Sequence, residues 1–354
     1  MDSNKNHFTF AKPLAAAVVV LGACCGQATA QTSVNVYGRI VSGVDYSTHV
    51  STDGVTSASR ASAASNQWGT SLFGFKGTED LGGGLKAVFD LESGFGSTTG
   101  TTNGAALFNR FAFVGLSGAA GTVKLGHFLS ISNDVWYIDP MGQQWLGSAT
   151  LVKGRSWNGA NNAVQYESPN MNGFTANVQY SFGEQAGSTS ANNKGGVSLA
   201  YVQPAFEVRA IYDIAHDAAG GYSDIYNTSK ELTLGGTATF GPAKLFAAYQ
   251  KLSAPEAAAG TPDKLDHYWA GVNYQATPAL QLVGAVFHVK PDNASKANLY
   301  TLGANYSLSK RTLLYTTIGS VDNGADGTYS ERYWEQHVPG QNQASLYFGV
   351  SHTF

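Results

Sequence analysis

The chain has 354 residues, of which 13% are charged, 12% are aromatic and 42 are glycine, with a formal net charge of −3. Soluble globular chains carry about 25% charged residues, so this composition does not suit an ordinary water-exposed surface. The longest apolar run, residues 14–26, is too short for a membrane-spanning helix, which needs about 20 residues. Abundant aromatic and β-branched residues exclude disorder, and the charge balance gives no sign of nucleic-acid binding. The composition therefore favours a β-rich protein.

Residues 1–30 have the features of a secretory signal peptide. Lysines precede the apolar run, and an Ala-Thr-Ala tripeptide ending at Ala30 supplies the small-x-small cleavage pattern. We therefore expect a mature chain of one domain over residues 31–354. Cys24 and Cys25 leave with the signal, so the mature chain has no cysteine to form disulfides. An alternative is lipoprotein processing at the segment Leu-Gly-Ala-Cys, which would leave a lipid on Cys24.

From residue 31 onward, the chain breaks into runs of about ten residues in which apolar and polar side chains alternate. Residues 174–182 and 346–354 show this pattern clearly. Alternate residues of a strand point to opposite faces, and a tilted strand of about ten residues crosses a bilayer. The pattern predicts sixteen strands, near residues 33–46, 67–77, 84–95, 108–117, 121–129, 159–168, 172–183, 195–203, 205–214, 230–240, 243–252, 264–276, 279–290, 297–308, 311–320 and 343–354.

The connections between these strands alternate in length. Short turns such as residues 118–120 and 241–242 follow the even strands, and longer segments follow the odd ones, at residues 47–66, 96–107, 130–158, 215–229 and 321–342. This alternation is typical of an even-stranded outer-membrane barrel with periplasmic turns and external loops. Because an unpaired strand edge is costly in lipid, the sheet must close. We predict an all-β fold, a transmembrane antiparallel β-barrel of about sixteen strands.

Six segments spread over the mature chain carry a family resemblance. They are residues 34–38 (VNVYG), 73–94 (FGFKGTEDLGGGLKAVFDLESG), 108–116 (FNRFAFVGL), 121–126 (GTVKLG), 164–174 (VQYESPNMNGF) and 349–354 (GVSHTF). These segments resemble the trimeric general porins of Gram-negative outer membranes, in their β-proteobacterial form. The resemblance implies a homotrimer in outer-membrane lipid, with the third long loop, residues 130–158, folded into the lumen as a constriction. It also implies that Phe354 belongs to the signal read by the outer-membrane assembly machinery.

Cations of the early strands are candidates for the pore wall. Strand alternation assigns five of them to the inward face: Arg39, Lys76, Lys86, Arg110 and Lys124. Neighbours such as Phe75 and Phe111 are then expected to face outward. A set of solvated surface charges is the alternative. The third loop carries Asp134 and Asp139, and Arg155 near its end could join the wall or anchor the loop.

Acids on the loop opposite bases on the wall would create a transverse field across a narrow aqueous passage. We therefore predict a passive channel for ions and small hydrophilic solutes, with a weak preference for anions. A channel specific for sugars or phosphorylated solutes, and an adhesive barrel whose loops bind a partner, are the alternatives. Conductance separates the adhesive barrel from the channels, and a saturable binding site separates the specific channel from the general one.

Catalytic and metal chemistry find little support in the sequence. The histidines show no short metal-ligand spacing. Asp266 and His267 are adjacent in a predicted strand, so their side chains point to opposite faces and cannot form a dyad. We find no nucleophile–histidine pair or acid cluster typical of an enzyme. We therefore expect no catalytic site, no metal site and no cofactor.

Overall fold

Residues 33–354 are described by a computed structural model, and they form one closed antiparallel sheet. The predicted signal peptide, with Cys24 and Cys25, lies outside the described residues. The strands are β1 (Ser33–Ser51), β2 (Ser57–Ser65), β3 (Ser71–Gly82), β4 (Leu85–Phe95), β5 (Phe111–Gly118), β6 (Gly121–Leu129), β7 (Gly159–Glu167), β8 (Phe174–Ser181), β9 (Lys194–Gln203), β10 (Phe206–Ala215), β11 (Lys230–Phe240), β12 (Ala243–Ser253), β13 (Lys264–Gln275), β14 (Leu280–Pro291), β15 (Ala297–Ser307), β16 (Thr312–Asn323) and β17 (Gln343–Thr353). Strand β1 pairs with β17, which closes the sheet into a barrel.

Strand β1 is 19 residues long and pairs with two successive segments on one side. Its residues 33–39 pair with β3, and its residues 42–51 pair with β2. Strands β2 and β3 therefore occupy one strand position, so the barrel has the sixteen positions that the sequence predicts. The predicted first long loop, residues 47–66, is wrong, because both strands continue to a turn at residues 52–56.

Side chains divide between the two faces of the barrel according to the alternation. On β5 and β6 the apolar residues Val114, Leu116, Val123 and Leu125 are all exposed on the outer face. Cross-strand partners share a face, so the opposite set of residues lines the lumen all the way around the barrel. The outer apolar band is the surface that lipid covers. No helix within residues 33–354 is long and apolar enough to cross a membrane.

The third loop folds into the barrel, as the family resemblance implies. It contains two 3-10 segments, Ile131–Ile138 and Arg155–Trp157, and one short helix, α1 (Ser148–Leu151). The Trp269 indole of β13 donates a hydrogen bond to the Ile138 carbonyl at 2.9 Å. Because β13 lies far around the barrel from β6, where the loop begins, this contact carries the loop across the lumen.

Glycines on the inner wall make room for the apolar side chains of this loop. A Cβ atom at Gly235 would lie 2.7 Å from Ile138 Cδ1, and one at Gly319 would lie 2.6 Å from Leu146 Cδ1. Such distances leave no space for any larger residue without moving the loop. Four wall glycines have this relation to the loop, and we call them the glycine seats: Gly196 beneath Ile131, Gly235 beneath Ile138, Gly271 beneath Pro140 and Gly319 beneath Leu146.

The seam of the barrel ends at the last residue of the chain. Gly38 N donates to Phe354 O at 3.1 Å, and Phe354 N donates to Gly38 O at 3.0 Å. The Phe354 ring packs against Gly38, where any Cβ would collide with it, and the side chain remains half exposed. Phe354 therefore completes the hydrogen-bond ladder between the first and last strands.

We expect deletion of Phe354 to lower the yield of folded barrel several-fold, because it leaves the Gly38 backbone groups unpaired at a lipid-facing seam. The measurement is refolding of the full chain into detergent micelles, scored by heat-modifiable mobility on gels. Refolding without cellular factors separates this seam effect from any role of Phe354 as an assembly signal. The Phe354→Tyr variant keeps both main-chain hydrogen bonds to Gly38 and an aromatic ring, so it should refold normally. A normal yield from the deletion variant would contradict a role in closure.

Candidate functional site

The third loop faces the part of the wall formed by β1 and β3 to β8. A cavity of about 650 Å³ remains there, and loop residues such as Trp136 and Gln143 form one side of it. Its charged lining residues are Arg39, Asp90, Glu92, Arg110, Lys124, Asp134 and Glu167. Three of the five predicted wall cations and one of the two predicted loop acids therefore meet at this cavity.

Arg39 and Arg110 are held side by side by Thr70. Arg39 Nε donates to the Thr70 carbonyl at 2.9 Å, and Arg110 Nη1 donates to Thr70 Oγ1 at 3.2 Å. Arg39 Nη2 also donates to Gln143 Oε1 of the loop at 3.0 Å. The Arg39 guanidinium lies 5.9 Å from the centre of the Trp68 ring. Arg39 therefore connects the wall to the loop at the constriction.

Two of the predicted cations are paired with wall acids that we did not identify from sequence. Arg110 Nε lies 2.6 Å from Glu92 Oε1, and Lys124 Nζ lies 2.5 Å from Glu167 Oε1. Their charges are therefore compensated locally. In contrast, Arg39 forms no ion pair with any residue in the described part of the chain.

The other two wall cations lie nearer the short-turn end of the barrel. Lys76 Nζ sits 4.8 Å from the centre of the Tyr37 ring and lines a second cavity of about 300 Å³. Lys86 is exposed near the start of β4, in register with Asp80. Lys86 therefore belongs to the mouth of the lumen and not to the constriction.

Phe111 departs from the predicted alternation. It lines the main cavity together with its neighbour Arg110, although the pattern assigns it to the outer face. The reason is that β5 begins at Phe111, so Arg110 precedes the strand and its side chain does not follow the alternation.

The two predicted loop acids have different partners in the structure. Asp134 Oδ2 lies 3.1 Å from Arg209 Nη1 on β10, and Arg209 also pairs with Glu207 at 2.8 Å. Asp139 is buried inside the loop, where its two oxygens accept the backbone N–H groups of Met141 and Ser148 at 2.8 and 2.7 Å. Burial raises the pKa of Asp139 to about 6. Asp139 therefore organises the loop turn, and Asp134 ties the loop to the far wall.

Arg155 anchors the end of the loop. It is 1% exposed, and its guanidinium lies 2.7 Å from Asp213 Oδ1 and 3.3 Å from Glu231 Oε2. Arg155 Nε also donates to Ser229 Oγ at 2.9 Å. The sequence leaves two roles open for Arg155, in the wall or as an anchor of the loop. These contacts correspond to the anchor.

Two acidic lumen residues, Asp90 and Glu92, are not among the residues predicted from the sequence, although the strand pattern contains a signal for them. Asp90 and Glu92 have the same parity on β4 as Lys86, so the rule that selected the cation also selects the acids. Tyr37 donates its hydroxyl proton to Asp90 at 2.6 Å. Residues 33–354 contain no group of three or more histidine, cysteine, aspartate or glutamate residues arranged to hold a metal ion.

Comparisons with known proteins agree with this geometry. Residues 15–326 match the Gram-negative porin family. Outer membrane porin protein 32 of Delftia acidovorans is 32% identical, over 96% of this chain and 98% of that protein. An outer membrane porin protein of Bordetella pertussis is 28% identical, over 97% of this chain and its entire own length. The solved anion-selective porin from Comamonas acidovorans superposes with a TM-score of 0.79 at 27% identity, over 92% of this chain and all of that one.

We expect Arg155→Gln to release the third loop from the wall. Removing one partner from a buried ion-pair network costs about 3–5 kcal/mol, because Asp213 and Glu231 are left buried without compensation. Limited trypsin digestion of the folded barrel measures this release, since Lys153 lies in the loop and is half-buried. Cleavage after Lys153 should become much faster while the barrel itself stays heat-modifiable.

The matched control is Arg155→Lys, which keeps the positive charge but loses the fork of donors. It should give an intermediate rate of cleavage. A trypsin resistance in Arg155→Gln equal to that of the native barrel would contradict the anchoring role.

Proposed function

Because this chain belongs to the Gram-negative porin family and is an outer-membrane channel protein, we propose that solutes cross it by passive diffusion with a weak preference for anions. Ions and small hydrophilic solutes are the proposed cargo. The observation that carries the sign of selectivity is Arg39, a cation without an ion-pair partner among residues 33–354, placed between wall and loop at the constriction. The anion-selective porin from Comamonas acidovorans supports the same sign.

The proposed preference is weak because most lumen charges cancel. Arg110 and Lys124 each pair with a glutamate, and Arg209 lies between two acids. Lys76 adds to the field of Arg39, and Asp90 opposes it. Low-dielectric walls focus the remaining field across the narrow water-filled passage, where screening is weaker than in bulk solution. A solute is thus sorted by size and by charge, without a covalent step.

The proposed assembly is a homotrimer. Family membership supports it, and the outer faces of the first and last strands offer apolar surface for contact between copies, including Val44 on β1 and Phe348 on β17. We further propose that residues 1–30 are cleaved as a signal peptide and that residues 31–354 form the mature barrel. The family and the fold are those of channels, and we assign the protein no catalytic step and no cofactor.

Recording from single trimers in a planar bilayer tests the proposed function. We expect current steps in groups of three, a linear current–voltage relation, and a current that does not saturate with salt concentration. Under a salt gradient, the reversal potential should have the sign of anion preference. Absence of current from folded, heat-modifiable protein would contradict the proposed channel function. A current that saturates with one solute would favour a substrate-specific channel instead.

A pair of charge-matched variants tests the role of Arg39. Arg39→Gln should shift the anion/cation permeability ratio towards cations, because it removes a charge from the constriction. Lys86→Gln removes the same charge at the mouth, where solvent and salt screen it within about 8 Å at physiological ionic strength, and should shift the ratio much less. Equal shifts in the two variants, or no shift in Arg39→Gln, would remove Arg39 from the selectivity mechanism.

A further inference from the structure

A further cavity of about 300 Å³ adjoins the constriction, and we call it the vestibule cavity. Its lining includes Asn103, Trp157 and Tyr333. These residues belong to the long connections after β4, β6 and β16, and long connections lie at the extracellular end of an outer-membrane barrel. Trp136 and Gln143 line both this cavity and the larger one at the constriction. A solute in the vestibule cavity therefore lies directly before the constriction.

Aromatic rings from two loops line the vestibule cavity. Trp136 and Trp157 of the third loop and Tyr333 of the last loop are all half-buried there. The ring centres of Trp157 and Tyr333 are 6.2 Å apart, with their planes at 81°. The Tyr333 ring packs on Gly154, where a Cβ atom would collide with it and where φ is +79°. The last loop therefore rests on the third loop, and this contact fixes the position of the Tyr333 ring.

The polar part of the lining consists mainly of neutral amides, on Asn103, Asn109, Asn133 and Gln143. The Asn109 side chain donates to the Asn103 carbonyl at 2.9 Å, which holds the main chain of Asn103 in place. Gln143 uses its amide oxygen to accept from Arg39. Within residues 33–354, neither the Gln143 Nε2 group nor the Asn103 side chain forms a hydrogen bond. The cavity therefore offers neutral hydrogen-bonding groups to a solute.

The vestibule cavity carries almost no net charge. Among the described residues, Arg110 is its one charged lining residue, and Glu92 lies 2.6 Å from the Arg110 guanidinium. An anion therefore gains little from this lining. A sugar ring presents an apolar C–H face and carries hydroxyl groups around its edge. The first suits the electron-rich face of an aromatic ring, and the second suit amide groups. Aromatic walls with a few placed polar groups are typical of small-molecule sites.

We propose that the vestibule cavity binds neutral cyclic sugars on their way to the constriction. The sugar ring lies against Trp157 or Tyr333, and its hydroxyl groups bond to the amides of Asn103, Asn133 and Gln143. Binding is weak, because a solute that passes through must also leave the site. The proposal rests on the proposed diffusion channel and adds a class of solute to it. Because the site takes neutral solutes, the ion current itself still rises with salt without saturation.

Ion current through many channels in a planar bilayer tests the proposal, because a sugar held before the constriction reduces the current. Maltose is the probe. A polyethylene glycol of similar mass, which has no sugar ring, is the size control. Maltose should reduce the current to a plateau as its concentration rises. The polyethylene glycol should reduce the current without a plateau.

Two variants of the lining test the site, each checked for folding by heat-modifiable mobility. Trp157→Leu removes one ring, so half-maximal block should need roughly tenfold more maltose, as expected for the loss of one ring contact. Asn103→Ala removes an exposed amide that supports no other side chain, so it should fold normally and weaken the block several-fold. The Asn103 variant keeps the test valid if the Trp157 variant does not fold.

Tyr137→Leu is the matched control. Tyr137 is an exposed ring of the same loop that lines the cavity at the constriction and not the vestibule cavity. This variant should leave the half-blocking concentration of maltose unchanged.

Three results would contradict the sugar site. They are equal block by maltose and the polyethylene glycol, an unchanged block in both Trp157→Leu and Asn103→Ala, and an equal loss of block in Tyr137→Leu. Each of them leaves the channel itself in place, because the current without sugar reports ion conduction separately. Absence of that current from folded native protein would instead contradict the channel function.

Discussion

Pairing of backbone groups in lipid is the constraint on which the rest of the structure depends. No water is present in the bilayer core to satisfy a free N–H or C=O group, so a spanning sheet must join its own edges. Here the join runs from Ser47 opposite Ser345 to Gly38 opposite Phe354. Closure fixes which residues face inward on every strand. It therefore also determines where charges can be placed, and most of them lie around the lumen.

The constriction follows from closure and from the way in which the loop is held. The barrel alone would enclose a wide passage, and the third loop narrows it because apolar and ionic contacts hold it on the opposite wall. Ile138 and Leu146 pack into the glycine seats, and Arg155 joins two buried acids. Arg209 adds a tie to Asp134. These contacts hold the loop against the wall and place the charges at its edge relative to Arg39.

Periodicity in the sequence is enough to predict the barrel, because a period of two and an alternation of loop lengths are local signals. It predicts the sixteen strand positions and the inward parity of Arg39, Lys76 and Lys124. It does not predict partners, because pairing depends on register between strands that are distant in sequence, as with Lys124 and Glu167 or Asp134 and Arg209. The prediction for Phe111 is wrong because it extends the alternation of β5 back to Arg110, which precedes the strand. Periodicity also does not predict the partners of Asp139, because hydrogen bonds from backbone N–H groups to a loop carboxylate depend on how the loop folds.

The glycine seats place the width of the passage under the control of the wall and not of the loop. A single larger side chain at Gly235 or Gly319 would move the loop, and with it the size limit for solutes, while leaving every surface-exposed loop residue unchanged. The size limit for solutes and the exposed surface of the external loops can therefore change separately in this barrel, since they are encoded by different residues.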